Sequence, residues 1–530
     1  MGAQDRGLGS VRSIEQIEYE RQRAQALLDN NCAIEDRRKL GQYATPNPLA
    51  REIVKYGLSL TKSNEKIRFL EPAFGTGAFY SALLSETNIA SIETATGYEI
   101  DSPVFEISKA LWGDLINLQK CDFTRAPAKR ESINLLITNP PYVRHHYIEQ
   151  DEKERLKALV FSLTRSSVSG LSGLYCYFML LAHPWLKKGA ISGWLVPSEF
   201  MDVNYGSELK KYLLEKVRLL RIHRYNPNDL LFDDAMVSSA VVWFINEKPT
   251  NDYEIEFSYG GNHESPEFSR IISKSVLQKE KKWTRFPNKP ERAKTTVVPK
   301  IKDFFSVKRG IATGNNSFFI MTKEQADNYQ LDHTFLQPIL PSPRYLNIDK
   351  INADESGNPI IKPKYFLLNC QLYEEDVKSN YPFLWKYLSS GIENVASRYL
   401  CRSRKQWYFQ EHRDPSPLLC TYMGRNRQGT GKPFRFILNR SRAIATNSYL
   451  MLYPSKTVDI ELKKSPHLLE SIWDYLNNIS VDSLESEGRV YGGGLKKIEP
   501  KELGEVPCPG LDKLIFGESM DTYEQLTFVL

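Results

Sequence analysis

Seven cysteines are scattered over 530 residues, at Cys32, Cys121, Cys176, Cys370, Cys401, Cys420 and Cys508. No two share a short spacing, which excludes a disulfide framework and a cysteine-based zinc site. Long apolar runs are missing too: nothing approaches the about 20 residues that a membrane-spanning helix needs. The opening Met1-Gly2-Ala3-Gln4-Asp5-Arg6 lacks the apolar core of a secretion signal, and Arg6 stands where a lipidation start at Gly2 would need Ser or Thr. A cytoplasmic protein with no membrane partner is therefore expected. Charge of one sign is scarce as well, 70 Lys and Arg against 64 Asp and Glu for a net +6, too little to demand a polyanionic partner by itself. Internal repeats are absent. The length exceeds the size at which one core keeps growing, so two or three domains are expected.

The most informative stretch is Asn139-Pro140-Pro141-Tyr142, which closes the apolar run Ile133-Asn134-Leu135-Leu136-Ile137-Thr138. The run is strand-length and suits the buried interior of a parallel sheet, and two prolines end it abruptly. Ligands of open α/β sheets bind at that carboxyl edge. Asn139 offers a side-chain acceptor there, and the carbonyl of Pro140 comes with no N–H of its own. Two acceptors facing one place suit an exocyclic amino group, and Tyr142 adds a flat face for a planar base. Alone, the tetrapeptide reads equally as a loop breaker after a strand.

Upstream residues shift that balance. Ile67 to Phe79 holds a strand, a turn through Gly75 and Gly77, and the start of a helical pattern from Phe79 to Leu84, the way an α/β fold presents a nucleotide-like ligand. Ala95 to Asp101 follows as a second strand in which Glu99 stands where dinucleotide folds place a ribose-binding acid. Cys121-Asp122-Phe123 ends a third strand with an acceptor for an adenine amino group and an aromatic to lie along the ring.

In this order the motifs resemble those of adenine-N6 DNA methyltransferases of restriction-modification systems, of the gamma-type class that carries the cofactor motif before the Asn-Pro-Pro-Tyr motif. The resemblance covers residues 41 to about 245. It implies a Rossmann-like α/β methyltransferase sheet, S-adenosylmethionine as cofactor, and a separate C-terminal α+β target-recognition domain. By the same resemblance Gly41-Gln42-Tyr43-Ala44-Thr45-Pro46 covers the methionine end of the cofactor, with Thr45 in contact. Glu71, Pro72, Ala73, Gly75 and Gly77 form the cofactor turn, with Glu71 near the methionine amino group. Glu99 takes the ribose, Asp122 and Phe123 the adenine, and Asn139 borders both cofactor and substrate. Asn139, Pro140, Pro141 and Tyr142 form the catalytic motif. Residues 173–182 and 191–197 match the family's next helix and strand, and Leu230 to Phe244 matches a hairpin whose Phe232 is a second aromatic for the extruded base.

The chemistry follows from the substrate. An adenine N6 lone pair is delocalised into the ring until hydrogen bonds to Asn139 and the Pro140 carbonyl favour a pyramidal nitrogen. Alignment with an already activated methyl then carries the reaction. No metal is expected, and no carboxylate base is offered by the motif. The adenine has to leave the duplex stack at a cost of about a few kcal/mol, which Tyr142 and Phe232 would offset.

A basic, aromatic-rich stretch lies between Cys401 and Arg442. Arg402, Arg404, Arg425, Arg427, Lys432 and Arg440 are expected to contact double-stranded DNA, together with Arg309, Thr313 and Asn315 in the Lys308 to Ile320 segment. The bland alternatives are a solvated basic face and, for the second segment, a plain hairpin. The expected organisation is an N-terminal helical arm over 1–40, built on a partial apolar stripe of Ile14, Ile17, Ala24 and Leu27. A methyltransferase domain over 41–248, a connector over 249–300 and a target-recognition domain over 301–530 follow. A monomer protecting host DNA from a separate cognate restriction endonuclease is expected. The alternative is a protein-glutamine or RNA N-methyltransferase with the same Asn-Pro-Pro-Tyr motif.

Overall fold

The computed structural model describes residues 12–32, 37, 40–226, 238–287, 298–425, 432–491 and 495–517. The chain divides into two compact units, 1–291 with 491–493, and 292–490 with 494–530. In the first, nine strands form one sheet: β1 (Ile67–Glu71), β2 (Ile92–Glu99), β3 (Asn117–Lys120), β4 (Ile133–Thr138), β5 (Leu186–Pro197), β6 (Arg218–Arg224), β7 (Ser239–Ile245), β8 (Glu254–Tyr259) and β9 (Phe268–Ser273). Their order is β3-β2-β1-β4-β5-β7-β6-β8-β9. Strands β1 to β5 are parallel, while β7 runs antiparallel to both β5 and β6.

All six residues of β4 are buried, because both faces of this central strand are covered. Leu135 and Ile137 enter one core with Phe69, Leu195 and Trp243, while Leu136 enters the other with Leu70, Trp194 and Val196. Each such burial is worth about 1.5–3 kcal/mol. The strand order reverses between β1 and β4, since β2 and β3 lie to one side and β5 to the other. A crevice opens outside the carboxyl ends of strands at such a reversal, and the ends here carry Glu71 and Asn139.

Helix α1 (Ile14–Asn31), started by a Ser13/Gln16 capping box, is docked against the helices Ala78–Glu86 and Ser102–Trp112 and buries Ile17. One expectation about the first unit changes: the sheet runs past residue 248. Strand β8 adds to β6 in parallel and β9 returns antiparallel to β8; this continuous pairing marks them as sheet rather than connector.

The second unit is α+β. Five strands, β10 (Phe305–Arg309), β13 (Lys350–Ile351), β15 (Leu418–Thr421), β17 (Phe436–Asn439) and β18 (Tyr449–Pro454), are ordered β10-β18-β15-β17-β13. A second sheet joins β11 (Ile320–Thr322), β14 (Tyr365–Leu368) and β12 (Leu336–Ile339), and Met423–Gly424 pairs with Leu495–Lys497. The Lys308 to Ile320 segment is not a hairpin, because β10 pairs with β18 whereas β11 pairs with β14. Among the described residues no helix is long and apolar enough to cross a membrane.

Candidate active site

At the end of β4 the amide nitrogen of Asn139 donates to the Tyr43 carbonyl at 2.9 Å and to Thr45 Oγ1 at 3.2 Å. A carbonyl can only accept, so these partners fix which way the amide faces. Its oxygen, Oδ1, is left buried and without a partner, a condition that costs about 1–3 kcal/mol. Pro140 is buried and Pro141 half-buried, and the Pro140 carbonyl accepts no backbone hydrogen bond among the described residues. Tyr142 is 7% exposed. Its hydroxyl donates to the Leu195 carbonyl at 3.1 Å, and its ring lies 5.5 Å from that of Tyr43. Burial pushes the phenol well above its ordinary value, so Tyr142 stays protonated.

The segment that holds Asn139 is itself held by the motif. The Gly41 carbonyl accepts from the Tyr142 amide at 3.0 Å, and Gly41 has φ +64° with a would-be Cβ only 2.4 Å from that same nitrogen. No side chain fits there. Gln42 Nε2 reaches Asp101 Oδ2 at 3.2 Å, so residues 41–45 span from the end of β4 to just beyond β2. Thr45 is buried, its hydroxyl oriented toward Asn139.

Beside this, β1 ends in Glu71, which is 2% exposed and has Oε2 without a partner. Burial raises its carboxyl well above the usual range; the Arg21 guanidinium and the Tyr80 amide oppose the rise, and Glu99 adds to it. Pro72 and Ala73 bend the chain into the turn of Gly75, at φ +56°, and Gly77 then caps the helix Ala78–Glu86. A Cβ on Gly75 would meet nothing within 4 Å, so this backbone borders open space. Glu99 stands under the turn, accepting from the Gly75 amide and the Asp101 amide, each at 2.8 Å; burial raises its carboxyl and these amides oppose the rise. Asp122 caps the following turn by accepting from the Thr124 amide at 2.8 Å. Phe123 is buried against Tyr98, Phe178 and Trp185. The donor set fits S-adenosylmethionine: a buried free carboxylate oxygen for an ammonium, a second acid at the end of β2, and an uncrowded glycine turn between them.

In the second unit the residues singled out for DNA divide by how they are engaged. Arg404 donates to the carbonyls of Thr313 at 3.0 Å and Ala312 at 2.8 Å, Lys432 to the Asn477 carbonyl, and Arg440 to Glu470 at 2.7 Å. Arg309 lies 4.0 Å above the Tyr422 ring and donates to the Asn447 carbonyl. Thr313 is 1% exposed and bonded to Asn316; its side chain is turned inward and unavailable to DNA, against expectation. Asn315 accepts from Ser317. Arg402 and Arg425 are exposed, Arg402 with its guanidinium 5.9 Å from the Tyr399 ring. Phe232 and Arg427 lie outside the described residues.

Sequence reasoning missed Tyr43, whose carbonyl orients Asn139, because a backbone contact leaves no mark on residue type. It also missed Arg21 of α1, which bonds Thr76 of the glycine turn. A signal for Arg21 existed: it sits in line with Ile14, Ile17 and Ala24, a charge inside the apolar stripe.

Residues 44–232 match the Eco57I restriction-modification methylase family and residues 288–527 match the C-terminal domain of the type II methyltransferase M.Eco57I. The chain is 26% identical over 522 residues to the type II methyltransferase M.AccI of Acinetobacter calcoaceticus, covering 94% of this chain and 91% of that one. It is also 26% identical to M.XamI of Xanthomonas campestris pv. amaranthicola, with 90% and 86% covered. The fold is shared with the type IIL restriction-modification enzyme MmeI, solved in complex with DNA, at a TM-score of 0.53 and 13% identity over 84% of this chain and 67% of that one. The two matched segments, one on each unit, and the relatives aligned along nearly the whole length support a restriction-modification methyltransferase.

Proposed function

We propose that the protein methylates adenine at N6 in double-stranded DNA, using S-adenosylmethionine, and takes the target base out of the helix to do so. The observation that carries this reading is the half-engaged amide of Asn139: nitrogen tied to Tyr43 and Thr45, oxygen buried and free. Asn139 Oδ1 and the Pro140 carbonyl accept the two N6 protons, which draws the nitrogen toward a pyramidal form. S-adenosylmethionine, when bound, supplies a methyl already activated by its sulfonium. Glu71 holds the ammonium end, Glu99 the ribose, and Asp122 with Phe123 the adenine of that cofactor. The Tyr142 face offsets part of the about few kcal/mol that unstacking costs. After transfer the extra proton leaves to water, since the motif carries no carboxylate base.

The second unit supplies DNA contact through its exposed arginines, and the chain acts as a monomer that protects DNA from a cognate endonuclease on another chain. The test is labelled methyl transfer to DNA, RNA and protein side by side, with nucleoside analysis of the product. N6-methyladenine in DNA is the expected product. Methylcytosine, or label only in RNA or in glutamine of a protein, overturns the reading.

A further inference from the structure

The N-terminal helix reaches the glycine turn through Arg21, which is almost wholly buried, and Gln25, which is half-buried. Arg21, 2% exposed, donates from Nη1 to Thr76 Oγ1 at 3.1 Å, and Thr76 Oγ1 donates to Gln25 Oε1 at 2.9 Å. The guanidinium is fixed from behind by Glu18, at 2.7 Å to Nε and 2.8 Å to Nη2. Glu18 in turn accepts from Ser81, on the helix that follows the turn, and from Asn47 at 2.7 Å. Burial would raise the Glu18 carboxyl, but Arg21 and Ser81 outweigh it and hold it at about 2. Thr76 itself is 3% exposed and lies between Gly75 and Gly77, the two residues that shape the turn, and the Trp112 indole fixes its carbonyl at 2.9 Å. Two residues of α1 therefore hold one side chain of the cofactor turn, and one residue holds the helix behind it.

Resting on the reading above, we propose that α1 is a wall of the cofactor site, with Arg21 a positioning residue that fixes Thr76 and the glycine turn. Helix docking and cofactor binding are then linked. A turn already held by Arg21 needs no further ordering when cofactor arrives, and cofactor that needs the ordered turn favours the docked helix by the same free energy. The charge inside the apolar stripe of α1 has this role.

The test compares Arg21→Ala, Arg21→Lys and Thr76→Val in the full chain. Cofactor affinity is measured by calorimetry with S-adenosylmethionine, alongside kcat and the KM for DNA, and hydrogen exchange over residues 14–31 with and without cofactor. Arg21→Ala is expected to weaken cofactor binding about tenfold or more, the scale of a lost charge-assisted bond, with kcat at saturating cofactor and KM for DNA within about threefold. Arg21→Lys recovers part of the loss, because one ammonium reaches one partner. Thr76→Val keeps the shape of the turn and lowers affinity in the same direction, which covers the case in which Arg21→Ala fails to fold. Cofactor slows exchange over 14–31 in the wild type and not in Thr76→Val. Unchanged cofactor affinity in all variants, with only thermal stability lowered, overturns the proposal. Wild-type protein that binds no S-adenosylmethionine overturns the functional reading instead.

Discussion

Two asparagines stand five residues apart on and just beyond β4, and they are used in opposite ways. Asn134, near its start, is 8% exposed and engaged on both sides: its oxygen accepts from the Arg68 amide and its nitrogen donates to the Lys66 carbonyl, each at 2.7 Å. It mends the ladder between β1 and β4. Asn139, past the other end, is engaged through nitrogen alone. A buried amide that satisfies itself is architecture, whereas one that leaves an acceptor open carries a cost that a bound ligand or an ordered water removes. The sharpest way to break this contrast is Asn139→Ala. It should lower kcat on the order of 100- to 1000-fold, as removal of one oriented transition-state contact does, and leave cofactor affinity and the melting temperature nearly unchanged. Near-normal turnover would remove Asn139 from the chemistry. Asn134→Ala should do the reverse, costing roughly 1–3 kcal/mol for each main-chain group left unpaired while the folded fraction keeps its kcat; a chemical denaturation series read beside an activity assay separates the two.

Glu71 extends the contrast to charge. Its carboxyl is raised by burial, so it keeps its proton to higher pH than an ordinary carboxyl and, while protonated, offers an ammonium little. Cofactor affinity should therefore rise with pH through the raised value and level off once the group is ionised. Glu71→Gln should weaken binding about 10- to 150-fold, the equivalent of a 1.5–3 kcal/mol charged hydrogen bond, and abolish that pH dependence. The same variant should melt higher without cofactor, because a buried carboxyl that opposes ionisation is gone. Calorimetric titration across pH checks the first expectation and a thermal melt the second. A flat wild-type profile would show that Glu71 does not hold the ammonium.

What was legible in the sequence follows the same division. The strand ends, the glycine turn and the motif order are set by local residue type and by the parallel topology; β1 and β4 fall where apolar runs and prolines put them, while β2 starts at Ile92 and ends at Glu99, before the expected end at Asp101. The second unit was far less legible, because a basic residue type does not reveal whether its charge is engaged inside or offered outside. Arg404 and Arg402 are two residues apart in one basic run, yet Arg404 ties down the 312–313 carbonyls while Arg402 faces solvent. Residue 248 looked like a boundary because a polar Asn-Glu-Lys-Pro run follows β7, but the chain turns there and adds two more strands. Arg404→Ala should destabilise the second unit, whereas Arg402→Ala should keep the melting temperature, raise the KM for DNA and flatten the salt dependence by about 0.9 in log–log slope if it reaches a phosphate. A salt series on both variants decides which arginine meets DNA.

Tyr142 is the smallest and most discriminating case, since it belongs to both categories at once. Its hydroxyl is architecture, bonded to the Leu195 carbonyl, while the proposed function gives its ring face to the base. Tyr142→Phe removes only the bond and should cost about 1 kcal/mol of stability, with kcat lowered by less than about threefold. Tyr142→Ala removes the ring as well, and by truncating a buried aromatic should cost about 3–5 kcal/mol and weaken methylation of paired adenine. Methylation of the same adenine placed opposite an abasic site should suffer less, because unstacking there is cheaper. If Phe and Ala variants lost paired-adenine activity equally, the hydroxyl and not the ring would be the working part, and Tyr142 would move to the side of Asn134.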